Sequence, residues 1–363
     1  MTHPEPSLAE LVQHSSVIVC GGPGGVGKTS VAAALALEAA GAGRRACVVT
    51  IDPARRLADA LGIETKANVA HVVEGPWSGT LAAMMLDAAG TFDELVTRYA
   101  SSPDQVQRIT ANRLYQNLVG NLSGTQEYMA TERLFALVES EAFDVIVVDT
   151  PPSRHAVDFL SAPRRLSGFL DNRVFRLLVT RSNGSFRAVS AASQLLLRSI
   201  AKVTGSEIVD DTIAFFQAFD GMEKGFRDRA RAVEELLNAP GTSYVLVTTA
   251  RTSTIAEATW LADRLGDEHH LIDALIVNRM MPFDLAEFVP PASTGRSDSD
   301  FGALLANAVA LASLGASEAA LVDSASLASK AASLTKVPIL DQDVHDVSSL
   351  QLLARHLVPG AVL

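Results

Sequence analysis

The segment CGGPGGVGKTS, residues 20–30, places a run of glycines between an apolar β-branched stretch and a strong helix former. Val17–Val19 precedes it, and TSVAAALALEAA, residues 29–40, follows it. Glycine loses more conformational freedom on folding than any other residue, so a cluster of it marks a backbone that must approach something closely. Gly22-x-x-x-x-Gly27-Lys28-Thr29 fits the P-loop pattern, in the strand–loop–helix context that the pattern requires. Successive N–H groups of such a loop turn inward around phosphate oxygens, and the following helix adds its positive end. Gly22, Gly24, Gly25, Val26, Gly27, Lys28, Thr29 and Ser30 are therefore expected to bind a nucleotide. In that reading Lys28 reaches the β- and γ-phosphates of ATP, and the Thr29 hydroxyl ligates Mg²⁺. The bland alternative, a glycine-rich turn with an exposed lysine, explains the turn but not the Lys-Thr pair opening a helix.

Short apolar runs recur along the chain between helical patterns. They are Val17–Cys20, Ala46–Ile51, Leu81–Leu86, Asp144–Val148, Tyr244–Val247, Ala274–Val277 and Val337–Leu340. Continuous apolar runs of this length suit strands buried on both faces, as in a parallel sheet covered by helices. Their alternation with helices predicts an α/β fold, a doubly wound and mostly parallel sheet in one domain over residues 1–363. Thr91–Ala142 is helical in pattern, and Phe159 to roughly Asn238 has no strand signal, so 159–238 reads as a helical subdomain inserted in that domain. Residues 290–300 read as a polar, proline-containing loop.

Two acids end strands. Thr50-Ile-Asp52-Pro53 closes the second run; alone, Asp52 reads as a helix cap with proline at the first helical position. In a parallel sheet, however, the carboxyl ends of the strands converge on one crevice. A carboxylate there can orient or deprotonate the attacking water, which makes Asp52 with Lys28 the catalytic candidates. Asp149, in VVDTPPSRH, ends an apolar strand where such folds hold the Mg²⁺-associated carboxylate, here through water. Arg154 and His155 fit a phosphate-reading switch and a solvated turn equally well.

Composition bounds the rest. Net charge is −11 with 20% charged residues, the balance of an ordinary globular chain, and it argues against a nucleic-acid binder. Cys20 and Cys47 are the only cysteines and lie in apolar runs, as buried residues of a reducing compartment would. The N-terminus has no basic region leading into an apolar stretch, so no signal peptide is expected. The uncharged window Phe301–Ser317 reads as a buried helix.

The motifs GGVGKTS, TIDPARRLADALG, VVDTPPSRHAVDFL, LIVNRM and KVPIL occur in an order that resembles the arsenite-pump and tail-anchored-protein-targeting ATPases. That family is a branch of the MinD-like P-loop ATPases. The similarity runs along the whole chain and is greatest to the actinobacterial members named anion-transporting ATPases. It implies Mg²⁺-dependent ATP hydrolysis in a nucleotide-sandwich dimer, with Asp52 in switch I and Asp149 in switch II. It also implies that Asn278 contacts the adenine and that the segment around Pro338 packs on the base. Three departures stand out. The family's signature lysine is replaced by Pro23, so this chain cannot make that cross-dimer contact; the Cys-x-x-Cys zinc pair is missing; and the arsenite-binding cysteines have no counterpart.

In the targeting branch the helical region forms a groove for a hydrophobic client. Between Arg154 and Lys202 there are eight Arg and one Lys against two Asp, about +7 in an acidic chain. Leu166, Phe169, Leu170, Val174, Phe175, Leu177 and Leu178 interleave there with Arg165, Arg173 and Arg176. A core helix with a solvated arginine face explains that pattern as well as a client surface does. The expectation is a soluble, cytoplasmic, dimeric ATPase whose open–closed cycle handles a hydrophobic or membrane-associated client, reaching the inner membrane face through a partner. The alternative is a low-turnover regulatory subunit that pairs with a lysine-bearing paralogue. A MinD-like spatial regulator ranks third, because the chain has a large helical insertion and no basic terminal anchor.

Overall fold

A computed structural model describes residues 7–51, 56–62, 67–116, 125–172, 206–282 and 300–359. The chain forms two compact units, one of Met1–Leu86, Leu137–Val157 and Pro240–Leu363, the other of Asp87–Ala136 and Asp158–Ala239.

Among the described residues the first unit has eight strands: β1 (Val17–Gly21), β2 (Arg45–Thr50), β3 (His71–Val73), β4 (Thr80–Met85), β5 (Val145–Asp149), β6 (Thr242–Thr249), β7 (Ile272–Met280) and β8 (Ala331–Pro338). They form one sheet in the order β3-β4-β2-β5-β1-β6-β7-β8. All neighbours run parallel except β3, which pairs antiparallel with β4. This is the doubly wound α/β architecture expected from the alternating runs. β1, β5 and the first seven residues of β6 are buried throughout, which is why they read as unbroken apolar stretches.

The helices, in chain order, are α1 (Leu8–His14), α2 (Lys28–Gly41), α3 (Arg56–Leu61), α4 (Ala88–Tyr99), α5 (Pro103–Thr110), α6 (Thr125–Glu139), α7 (Ser153–Asp171), α8 (Ser206–Ala218), α9 (Glu223–Leu237), α10 (Thr252–Asp267), α11 (Asp300–Ser324) and α12 (Val347–Leu357). α2 is buried nearly all round. Its alanines 32, 33, 34, 36, 39 and 40 are fully covered, and such small residues let the sheet and α12 close on it. Leu350, Leu353, Ala354 and Leu357 of α12 belong to the same apolar core, so the C-terminal helix docks on the sheet.

Two expectations are corrected. β8 begins six residues before the run Val337–Leu340 and ends at Pro338. As an edge strand with one neighbour it can carry Ala, Ser, Thr and Lys, so apolarity marks only its last part. The window 301–317 is not a buried helix. α11 contains it, and only 17% of its most apolar window is buried; Leu304, Leu311 and Leu314 are exposed. One face, through Ala312, Gly315 and Val322, is covered while the others are open. By length and composition this helix is long and apolar enough to cross a membrane.

The second unit packs around aromatic rings. Phe226 meets Tyr99, Phe219 and Phe92 at centroid distances of 5.3, 5.1 and 6.3 Å, and Phe92 meets Tyr115 at 5.1 Å. A buried ion pair, Arg229 Nε to Glu132 Oε1 at 2.7 Å, lies beside this core, with the guanidinium 4.2 Å from the Phe135 ring centre. In the basic amphipathic segment, Leu166 and Leu170 pack on the aromatic cluster while exposed Arg165 pairs with Asp158 at 2.7 Å. Phe169 stays half exposed. The described part of this segment is thus a core-facing helix with a solvated arginine side. Arg173, Val174, Phe175, Arg176, Leu177 and Leu178 lie outside the described residues.

Candidate nucleotide site

β1 delivers the chain to the loop, and α2 leaves it at Lys28. Gly22 has φ +149°, and a Cβ there would sit 2.1 Å from the Val247 carbonyl oxygen of the neighbouring strand. Gly27, at φ +94°, is the N-cap of α2, and a Cβ would meet Asn278 Nδ2 at 2.5 Å. Both glycines are therefore dictated by sterics. No side chain caps α2, which leaves its first turn to an anion.

Asp149 is brought to the loop by strand register. It pairs with Cys20 of β1 and with Thr50 of β2, so its side chain emerges at the carboxyl end of both. Thr29 Oγ1 donates to Asp149 Oδ2 at 2.8 Å, and Thr50 Oγ1 donates to the same oxygen at 3.0 Å. The carboxylate is buried. Lys28, also buried, donates from Nζ to the Pro23 carbonyl at 2.8 Å. Pro23 thus holds the lysine through its backbone, the one polar group that proline retains. The Cys20 thiol is pushed strongly up by burial, with the Asp149 charge adding to the effect, so it is an inert neighbour.

A cavity of about 470 Å³ opens over this cluster. Gly24, Gly25, Gly27, Lys28, Thr29 and Ser30 line one wall, with Asp149, Thr150 and Pro152 beside them. Asp59 and Ala60 of α3, Arg279 of β7, and Val344 and His345 complete it. Gly22 and Val26 face elsewhere: Gly22 packs on Val247, and the Val26 side chain is buried in the apolar core. Arg154 and His155 are exposed and are not among the lining residues. Asp52 lies outside the described residues, as do residues 290–299 of the expected 290–300 loop, whose last residue, Asp300, opens α11. Ile51, just before it, donates its N–H to the Asp149 carbonyl at 3.3 Å.

Asn278 is buried behind the loop. Its Nδ2 donates to the Val26 carbonyl at 2.9 Å, and its Oδ1 accepts the Arg279 N–H at 2.9 Å. Pro338 ends β8 opposite Met280. Neither lines the cavity, whereas Val344 and His345 do. The His345 ring Nδ1 lies 2.7 Å from the Asp343 carbonyl. That carbonyl only accepts, so Nδ1 carries a proton and donates to it. Arg279, Asp59, Val344 and His345 were not anticipated from the sequence. The available signal was position: Arg279 is the next-to-last residue of β7 and His345 lies in the segment after β8, near strand ends that face the crevice.

A hard oxygen donor set, one hydroxyl and one carboxylate at the head of a glycine loop, suits Mg²⁺ beside a polyphosphate. The family model described as anion-transporting ATPase matches residues 15–292. The chain belongs to the anion-transporting ATPase family. The matched span contains the loop, Asp52, Asp149 and Asn278, and stops before β8 and His345. Among curated proteins, the ATPase get3 of Aspergillus terreus is 33% identical over 162 residues, which cover 44% of this chain and 47% of that protein. The chain thus spans about half the length of this relative. Membership of the anion-transporting ATPase family agrees with the resemblance read from the motifs.

Proposed function

We propose that the chain binds Mg²⁺–ATP and hydrolyses it as a dimer, coupling nucleotide state to a hydrophobic or membrane-associated client. The observation that carries this reading is the Thr29–Asp149 hydrogen bond of 2.8 Å at the mouth of a loop built to wrap phosphate. Lys28 exchanges the Pro23 carbonyl for β- and γ-phosphate oxygens, a stronger acceptor for a buried ammonium. Thr29 would hold Mg²⁺ directly and Asp149 would hold it through water, and a bound ion would supply charge neutralisation for phosphoryl transfer. Asp52 orients the attacking water. Val344 and His345 form the base end of the cavity, with Asn278 and Pro338 supporting it from behind. As a soluble ATPase of the cytoplasm, it would reach the inner membrane face through a partner.

Phosphate release by the purified chain tests this directly. Activity should be measurable alone, vanish in Lys28→Ala, and vanish in Asp52→Asn while ATP binding persists. Equal loss of binding and hydrolysis in Asp52→Asn would reduce Asp52 to a helix cap. Absence of both binding heat and a melting-temperature rise with Mg²⁺–ATP, on folded protein, would overturn the nucleotide reading.

Pro23 favours a second reading. Position 23 carries no cationic side chain, so cross-dimer stabilisation has to come from elsewhere. In a heterodimer with a lysine-bearing paralogue this chain would be the low-turnover subunit. Turnover that appears only when the paralogue is added would select that arrangement.

A further inference from the structure

Successive residues of a regular strand point to opposite faces. Asn278 and Arg279 do not: both side chains reach the same loop, Asn278 at the Val26 carbonyl and Arg279 Nη1 at the Gly25 carbonyl, 3.3 Å away. The register of β7 against β8 slips between Val277 and Met280, and Arg279 sits in that bulge with φ +57°. A left-handed backbone is costly for an arginine, and bulges re-aim side chains beside active sites. The bond to Gly25 is long and solvent-exposed, whereas Asn278 already ties the loop down at 2.9 Å from a buried position. Clamping the loop does not account for the strain.

Arg279 also lines the cavity. Among the described lining residues Lys28 and Arg279 supply the lysine and arginine side chains and Asp59 and Asp149 the carboxylates, in a chain of net charge −11. A triphosphate with one Mg²⁺ adds about two negative charges beside those two carboxylates, more than Lys28 alone can offset, so a second cation in the cavity is favoured. We propose that Arg279 is a phosphate ligand of the nucleotide, supplied from β7 of the same chain, and that it provides the second cation that Pro23 does not. This rests on the nucleotide reading above. When the polyphosphate enters, the guanidinium exchanges the Gly25 carbonyl for phosphate oxygens. Its planar fork matches them two at a time.

The test compares wild type, Arg279→Gly and Arg279→Lys by calorimetric titration with Mg²⁺–ATP, Mg²⁺–ADP and adenosine, and by melting without ligand. Arg279→Gly relieves the left-handed strain, so its melting temperature should hold or rise. Its affinity for ATP should fall tenfold or more, the loss for ADP should be smaller, and adenosine binding should not change. Its ATP affinity should also depend less on salt, and Arg279→Lys should recover part of the loss. Equal losses for ATP and adenosine would assign Arg279 to the base and overturn the proposal. So would unchanged ATP affinity, or a fall in melting temperature that by itself matches the lost binding. Wild type that binds no nucleotide overturns the nucleotide reading, whereas wild type and Arg279→Gly binding alike overturns only the role of Arg279.

Discussion

Glu38 lies on the helix that carries the phosphate loop, is 4% exposed among alanines and leucines, and its Oε1 has no hydrogen-bond partner. Burial pushes its carboxyl up to about 7 from an ordinary value of 4.5. The folded state therefore holds a proton that the unfolded chain releases, throughout the range between those two values. Stability contributed by this group is complete below the unfolded value and is lost as pH rises toward the folded one. The slope reaches about 1.4 kcal/mol per pH unit, and the total loss by pH 7 is about 3 kcal/mol. Glu38→Gln keeps the shape and removes the titration. Urea unfolding at pH 4, 5, 6, 7 and 8 should give nearly equal stabilities for the two proteins at pH 4, below the unfolded value. The variant should then lead by about 3 kcal/mol at pH 8, with unchanged denaturant slopes. A difference that stays constant from pH 5 to pH 8 would refute the reasoning, because it would mean that water reaches the Glu38 carboxyl in the folded protein.

Two further perturbations probe the loop and the second unit. Gly27→Ala forces a Cβ onto Asn278 Nδ2 at φ +94°, so thermal melting should show a loss of about 2 kcal/mol, and ATP titration a matching loss of affinity. Adding Asn278→Ala should recover part of the stability by removing the clash; no recovery would place the cost in backbone strain alone. Arg229→Met leaves Glu132 as a buried charge and should cost about 3–5 kcal/mol in chemical unfolding. The double variant Glu132→Leu/Arg229→Met should return close to wild type, and a double variant as unstable as the single would show that the pair supplies stability of its own.

The fold was legible where burial on both faces leaves a strand no choice of residue type. VIVCG and VIVVD are of that kind, and they occupy the centre of the sheet between helices. The edges were less legible for the converse reason. AASLTKVP in β8 and HVV in β3 each have one neighbouring strand, so polar residues are tolerated and period and apolarity fade. α11 failed differently: an apolar window states a preference for burial, but only the packing decides whether a partner covers it.

The site divides along the same physical line. Gly27, Lys28, Thr29 and Asp149, which the structure brings together around one cavity, could be singled out in the sequence because backbone sterics and phosphate chemistry restrict such positions to few residue types. Arg279 carries no such mark in the sequence, since an arginine at the end of a strand is usually just a solvated charge. What distinguishes it is a bulge that turns it to the same side as Asn278, and a bulge leaves no periodic trace in residue type. The pair divides the work in a way that neither residue could manage alone. Asn278, buried and fully engaged, fixes the loop in the conformation that presents its N–H groups. Arg279 is exposed and held at 3.3 Å from the Gly25 carbonyl, and in its proposed role it would leave that contact for the phosphates at little cost. A site that must bind and release an anion needs both kinds of contact. With the role proposed for Arg279, β7 joins the phosphate machinery alongside the glycine loop.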